Sequence, residues 1–218
     1  HFLKGMVSDA FWNDITHFEG NANAFRLLAH RYKGRREGGF VMTYSTLASI
    51  VKYPYSSAYA GHKGKFGFFC SEKELFQRIA DEMGIIKVSE DGEPLKYVRH
   101  PLVYLVEAAD DICYEIMDIE DSHKLKILSF EETKEALLSF FDEETRINIE
   151  KRIIEEDITD KNEQIVYMRA CAIGTLEHEC AQAFIHNEKA ILEGTLKGSL
   201  IEHISEKRQV FRKFRVSL

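Results

Sequence analysis

Along most of this chain apolar residues recur at the three- and four-residue spacing of an amphipathic helix, with polar residues between them. Leu75, Phe76, Ile79, Ala80 and Met83 form one such run. Ser71-Glu72-Lys73-Glu74 ahead of it reads as a capping box, and Gly84 behind it reads as the stop. Ser129-Phe130-Glu131-Glu132 is a second box, leading into Leu137, Leu138 and Phe141. Asp160 with Glu163 opens a third helix that carries Ile165, Val166, Ile173 and Leu176 and ends near His186 or Asn187. Asn21 to about His30, Tyr44 to Val51 and Leu200 to Lys207 predict further helices. The Gly- and Arg-rich stretch Lys33–Phe40 reads as a loop, and so does Lys52–Phe69, punctuated by Pro54, Gly61, Gly64 and Gly67. Val88–Lys96 is either a small hairpin or a loop around Asp91-Gly92. No internal repeat or low-complexity tract interrupts the pattern. The predicted class is all-α, with well over half the residues helical against about one third in an average domain.

The most informative helix starts at Pro101, a residue suited to the first helical position because its missing N–H costs nothing there. Leu102, Leu105, Val106, Ala109, Cys113 and Ile116 form its predicted apolar stripe. Glu107, Asp110, Tyr114, Asp118 and Asp121 share the opposite face, where like charges repel by a few tenths of a kcal/mol per pair. On pattern alone that face is either a solvated acidic surface or a set of oxygens compensated by a cation or bound donors.

Composition narrows the class. A length of 218 residues predicts one domain, or two small ones. Apolar residues make up 44% and charged residues 30%, ordinary for a globular protein. The net charge of −7 argues against a mainly nucleic-acid-binding surface, yet leaves room for a local basic pocket that holds a polyanion. Cys70, Cys113, Cys171 and Cys180 match neither a zinc pattern nor a disulfide framework, so reduced, mostly buried thiols in a cytoplasmic protein are expected. No run of about 18 apolar residues predicts a membrane span, and no signal peptide is recognisable.

The run Glu107-Ala108-Ala109-Asp110-Asp111-Ile112-Cys113-Tyr114 resembles the "EAADDI-Y" signature of the deoxyguanosinetriphosphate triphosphohydrolase family. Three more segments are similar to that family and stand in its order: His17-Phe18-Glu19-Gly20-Asn21-Ala22, Leu47 to Pro54 with Lys52-Tyr53-Pro54, and Lys65-Phe66-Gly67-Phe68-Phe69 followed by Ser71-Glu72. The resemblance covers residues 5 to 218 and weakens after 130. It implies an HD-type helical bundle with additional C-terminal helices, here a single domain without the N-terminal part that carries the His and His-Asp metal ligands. It also implies metal-dependent cleavage of a deoxynucleoside triphosphate, dGTP or a broader dNTP set, into deoxynucleoside and inorganic triphosphate.

By the same resemblance Asp110 is the last ligand of a divalent metal, Mg, Mn or another transition metal, and so the one catalytic residue present. A carboxylate with imidazoles does not choose among these ions. Lys52, Tyr53 and Lys65 are implied to hold the phosphates, and Asn21 to lie near them. Tyr114 and Asp118 are implied to pack on the sugar and bind its 3′-hydroxyl. A ring beneath C2′ excludes a ribose by shape, and a carboxylate that reads a hydroxyl discriminates strongly. The implied reaction is attack of a metal-activated water on the α-phosphorus. Arg26 is a candidate partner of Glu19 or of phosphate. Arg99 and His100 are placed to orient the acidic helix, with an ordinary buried histidine as the alternative for His100. Arg208, Arg212 and Arg215 form a basic end that either reaches a neighbouring subunit or is solvated.

The departure from the family is the His-Asp pair, because no His-Asp dipeptide occurs in the chain. The chain opens on His1-Phe2 without an initiator methionine, and the expectation is that these ligands lie upstream. The alternative is a protein that has lost its chemistry. Expected partners are a dNTP substrate, an activating dNTP and copies of the same chain in a hexamer or tetramer, with no membrane. Two rival readings stand. One is another HD phosphohydrolase, a phosphomonoesterase or cyclic-nucleotide phosphodiesterase. The other is a non-catalytic helical protein that senses nucleotides or binds single-stranded nucleic acid.

Overall fold

Most helices in this chain start where a short polar side chain can turn back onto the first N–H groups. The computed structural model describes residues 3–34 and 39–204. The helices are α1 (Asp9–Thr16), α2 (Gly20–Ala29), α3 (Tyr44–Ser49), α4 (Lys73–Glu82), α5 (Pro101–Lys124), α6 (Phe130–Leu138), α7 (Glu143–Glu155), α8 (Lys161–His186) and α9 (Glu188–Leu192). Ser8, Thr43, Asp142 and Asp160 cap α1, α3, α7 and α8 through side-chain oxygens. Ser129 and Glu132 form the reciprocal box predicted for α6. Among the described residues no strand forms, and pairing is limited to isolated bridges, so the all-α prediction holds.

Three local expectations differ. The Ser71–Glu74 box does not form. Cys70–Glu72 make a 3-10 turn, α4 starts at Lys73, and Ser71 donates to Glu72 instead (2.9 Å). The reason is burial: Glu72 is only 4% exposed and faces Arg26 at 4.0 Å, which draws the turn inward. At the far end the prediction is met. Gly84 adopts φ +66°, and Ile85 N–H donates to the Ala80 carbonyl (2.8 Å), as a Schellman stop requires. Of the predicted Leu200–Lys207 helix, Leu200–His203 form a 3-10 turn, and Lys207, Arg208, Arg212 and Arg215 lie outside the described residues.

The third difference concerns α5. Its buried face is Val103, Tyr104, Ala108, Ile112, Ile116 and Ile119, whereas Leu102, Leu105, Val106, Ala109 and Cys113 of the predicted stripe are exposed. The two stripes are similarly apolar, so periodicity alone does not choose. Tyr104 decides at the first turn, because its hydroxyl donates to the Leu196 carbonyl (3.1 Å) and its ring lies under the Arg99 guanidinium.

The chain divides into two compact units, His1–Val106 with Lys189–Leu196, and Glu107–Glu188 with Lys197–Leu218. The first is built on an aromatic core in which Phe68 stacks on Phe76 (4.6 Å) and Phe25 and Tyr97 meet Phe76 edge-on. In the second, α6 packs on α8, with Leu137, Leu138, Ile165, Met168 and Leu176 almost fully enclosed. Arg169 of α8 pairs there with the buried Glu120 of α5, and Lys124 closes on the same carboxylate at 2.9 Å. No helix of the described residues is long and apolar enough to cross a membrane.

All four thiols are free, but only Cys180 is buried; Cys70 and Cys113 are exposed and Cys171 is intermediate, against the expectation of mostly buried thiols. Exposure does not make Cys70 reactive. Asp14 of α1 accepts the Cys70 N–H and the Ser57 hydroxyl, both at 2.6 Å. Partial burial of the sulfur, followed by Asp14, pushes the thiol from 9.0 up to about 11. Thiolate is the nucleophile. Iodoacetamide at pH 8, followed by peptide mass spectrometry, should therefore label Cys70 about 100-fold more slowly than a free cysteine. An ordinary rate there would mean that the burial of the sulfur, with the Asp14 contact beside it, is absent in solution.

Candidate functional site

Two of the residues expected to meet phosphate, Asn21 and Lys65, converge on one buried carboxylate. Glu19 precedes α2 and is 2% exposed. Its Oε2 accepts the Ala22 N–H (3.0 Å), which caps the helix; its Oε1 accepts the Asn21 amide (2.9 Å) and the Lys65 ammonium (3.1 Å). The Lys65 side chain is 45% exposed against 1% for Glu19, so the anchor is enclosed while the ammonium still meets water. Behind this cluster Ala22, Ala60 and Phe66 pack together, with Tyr55 and Phe69 at the edge, which fastens the start of α2 to the Lys65 segment.

Gly67 joins that segment to Lys52-Tyr53-Pro54. A Cβ at Gly67 would lie 2.2 Å from the Tyr53 carbonyl oxygen and 2.5 Å from Val51 Cγ1, and its N–H donates to the Tyr55 carbonyl (3.0 Å). Only a residue without a side chain permits that approach. Arg99 reaches back from the start of α5 and donates from Nε to the Lys52 carbonyl (3.1 Å). Asn21 and Lys65 thus share one acceptor, and Lys52-Tyr53 is tied to the Lys65 segment through the backbone. Burial, then the neighbouring Tyr53, pushes the Tyr55 hydroxyl above its ordinary value, with Arg99 opposing.

Arg26 does not pair with Glu19. It lies beside Glu72 and over the Phe69 ring. His100 is 8% exposed; burial lowers its pKa, and the neutral ring accepts the Leu102 N–H at Nδ1 (3.3 Å), so it serves as a cap at the start of α5.

Asp110, Tyr114 and Asp118 fall in the second unit. All three are exposed, Tyr114 to 65%, on the side of α5 that also carries Asp121, while Glu107 turns inward at 9%. Among the described residues no group of three or more His, Cys, Asp or Glu side chains is arranged to hold a metal ion. Asp110 by itself does not fit a divalent metal, which needs four to six donors.

Similarity to known proteins bears on the same residues. No family model matches the chain. A deoxyguanosinetriphosphate triphosphohydrolase-like protein of Pseudomonas aeruginosa is 36% identical over 202 residues, covering 91% of this chain and 44% of its own length. A like-named protein of Synechocystis sp. is 37% identical over 198 residues, or 87% of this chain and 42% of that protein. The chain belongs to the deoxyguanosinetriphosphate triphosphohydrolase-like family. A deoxyguanosinetriphosphate triphosphohydrolase of Yersinia enterocolitica is 28% identical over 224 residues, or 93% of this chain and 41% of that protein. The chain therefore spans less than half the length of the family members it matches.

Within this family member, motif reading passed over Glu19 as the shared partner of Asn21 and Lys65. Its signal was faint. A Glu two residues before Asn21 and three before the first buried Ala22–Phe25 pair stands where a helix N-cap belongs, but Glu is not among the residues favoured there. Asp14, which fastens α1 to the Ser57 and Cys70 turns, has no motif at all.

Proposed function

We propose that this chain is the substrate-gripping part of a dNTP triphosphohydrolase that converts a deoxynucleoside triphosphate, dGTP among them, to deoxynucleoside and inorganic triphosphate. The single observation that supports this most is the first-unit cluster, in which Lys65 and Asn21 share the buried Glu19 while Gly67 holds the Lys52-Tyr53 segment against the Lys65 segment. Such a cluster presents ammonium, amide and phenol donors, the groups a polyphosphate needs. In this reading Lys52, Lys65, Tyr53 and Asn21 bind phosphate oxygens. Tyr114 and Asp118 contact the deoxysugar, with Asp118 accepting its 3′-hydroxyl. Asp110 would contribute one oxygen to a divalent ion, Mg, Mn or another transition metal, as one ligand among several. That ion, when bound, supplies Lewis-acid chemistry at the phosphoryl oxygens. The helical part is an HD-type bundle in this reading, and the working form is a cytoplasmic homo-oligomer.

The experiment is incubation of the protein carrying this chain with each dNTP plus Mn or Mg, with product identification. Tripolyphosphate is expected as product, and orthophosphate would indicate another HD phosphohydrolase. Asp110→Ala should reduce turnover at least 1,000-fold, about 4 kcal/mol of transition-state stabilisation. Unchanged turnover would remove Asp110 from the machinery. Nucleotide binding without any turnover in the unaltered protein would favour the sensor reading.

A further inference from the structure

The buried carboxylate at the start of α2 does more than cap a helix. Glu19 is faced by three donors, the Ala22 N–H, the Asn21 amide and the Lys65 ammonium, at 3.0, 2.9 and 3.1 Å. A carboxylate is the one side-chain group that accepts from all three without presenting a hydrogen of its own. Any glutamine there turns its NH₂ against at least one of them.

The N-cap duty alone does not account for this residue. Glutamate is not among the favoured N-cap residues, and aspartate with the same charge is. The extra methylene of Glu19 lets Oε2 stay on the Ala22 N–H while Oε1 reaches Lys65, 46 residues away in sequence. A lysine side chain loses rotamer freedom when held in one place. Here that loss is met before any ligand arrives. Lys65 sits between Gly64, at φ +61°, and the fully buried Phe66, and its ammonium is held on a carboxylate that is 1% exposed. Two of its three N–H donors remain to be shared with a ligand.

We infer that Glu19 is a positioning residue for polyphosphate recognition: it acts through Lys65 and Asn21, holding an ammonium and an amide at fixed places where a triphosphate's oxygens meet them. This rests on the function proposed above. It opposes simple electrostatics, in which a carboxylate beside a phosphate-binding lysine weakens binding by its charge. A variant that keeps the charge but shortens the reach therefore isolates anchoring from repulsion.

The test uses Glu19→Asp, which retains the charge and a favoured cap but shortens the reach to Lys65. Inorganic tripolyphosphate and dGTP are titrated calorimetrically at one fixed ionic strength into the unaltered protein, Glu19→Asp, Lys65→Ala and the double variant. Expected is a roughly tenfold weaker tripolyphosphate affinity for Glu19→Asp, about 1.4 kcal/mol, with a melting temperature close to that of the unaltered protein. In the Lys65→Ala background the Glu19 effect should shrink to the part carried by Asn21, because Glu19 and Lys65 act as one unit. Equal or tighter binding by Glu19→Asp overturns the inference while leaving the proposed function standing, provided Lys65→Ala still weakens binding. An undiminished Glu19 effect in the Lys65→Ala background also overturns it, showing a general loss of structure. No tripolyphosphate or dGTP binding by the unaltered protein overturns both.

Discussion

Gly67→Ala should lower the melting temperature by roughly 6–12 °C and abolish measurable tripolyphosphate binding. The new methyl would enter within 2.2 Å of the Tyr53 carbonyl oxygen and 2.5 Å of Val51 Cγ1. A backbone oxygen does not swing aside like the end of a flexible side chain. The Lys65 and Tyr53 segments have to separate, and overpacking of this kind costs about 3 kcal/mol. In a domain of this size each kcal/mol shifts the melting point by about 2–4 °C. The functional loss follows from the same movement, since it draws Lys52-Tyr53 away from Lys65. Gly64→Ala is the control. Gly64 is left-handed at φ +61° but has open space at its Cβ position, so only the conformational cost of about 1 kcal/mol applies. Differential scanning fluorimetry of the two variants reads the contrast. Equal melting points would mean that the close approach at Gly67 does not exist in solution.

Arg169→Met is expected to destabilise the second unit by about 3 kcal/mol, the scale for breaking a buried ion pair from one side. The Glu120 side chain is 4% exposed and is held by Arg169 and, at 2.9 Å, by Lys124. Burial alone raises the carboxyl's pKa, but the hydrogen bonds and charges of Lys124 and Arg169 outweigh it, and the net shift is downward. A folded-state pKa below the unfolded value of 4.5 gives stability that is complete above about pH 4.5 and lost as pH falls through the folded value. The melting difference between the unaltered protein and Arg169→Met should thus be largest near neutral pH and shrink below pH 4.5. Glu120→Leu with Arg169→Met should recover much of the loss, because a well-packed apolar pair can replace a buried ion pair. A pH-independent difference, or no recovery, would show that Arg169 acts by packing rather than by charge.

Helix positions were readable in this sequence wherever a cap and a periodic run coincide. Ser129 with Glu132, Asp160 with Glu163, and Gly84 each mark an end at which backbone donors or acceptors have a local answer. Ser71–Glu74 has the same letters and fails because Glu72 is drawn toward Arg26 from a distant helix, a partner no local window contains. The face of α5 was unreadable for a related reason. Leu102-Val103-Tyr104-Leu105-Val106 is apolar all round, and the bond from Tyr104 to Leu196 sets its rotation across 92 residues. In the candidate site, family motifs named Asn21, Lys52, Tyr53 and Lys65, and the structure ties them through Glu19 and Gly67. The spacing of Asp110, Tyr114 and Asp118 put them on one side of a helix, where they stand exposed. Which groups they meet depends on atoms beyond their own helix, which spacing does not encode.

The Lys65–Phe69 stretch serves two different interiors in turn. Phe66 belongs with Ala22 and Ala60, and Phe68 with Phe25 and Phe76, while Lys65 stays half in water. Sheet-like alternation has no slack, and a slip of one position would drive a lysine inward and a phenylalanine out. Drift among relatives should accordingly exchange letters in this ribbon without ever changing its length, and any insertion must collect in the turn around Gly61–Gly64, where added atoms meet nothing.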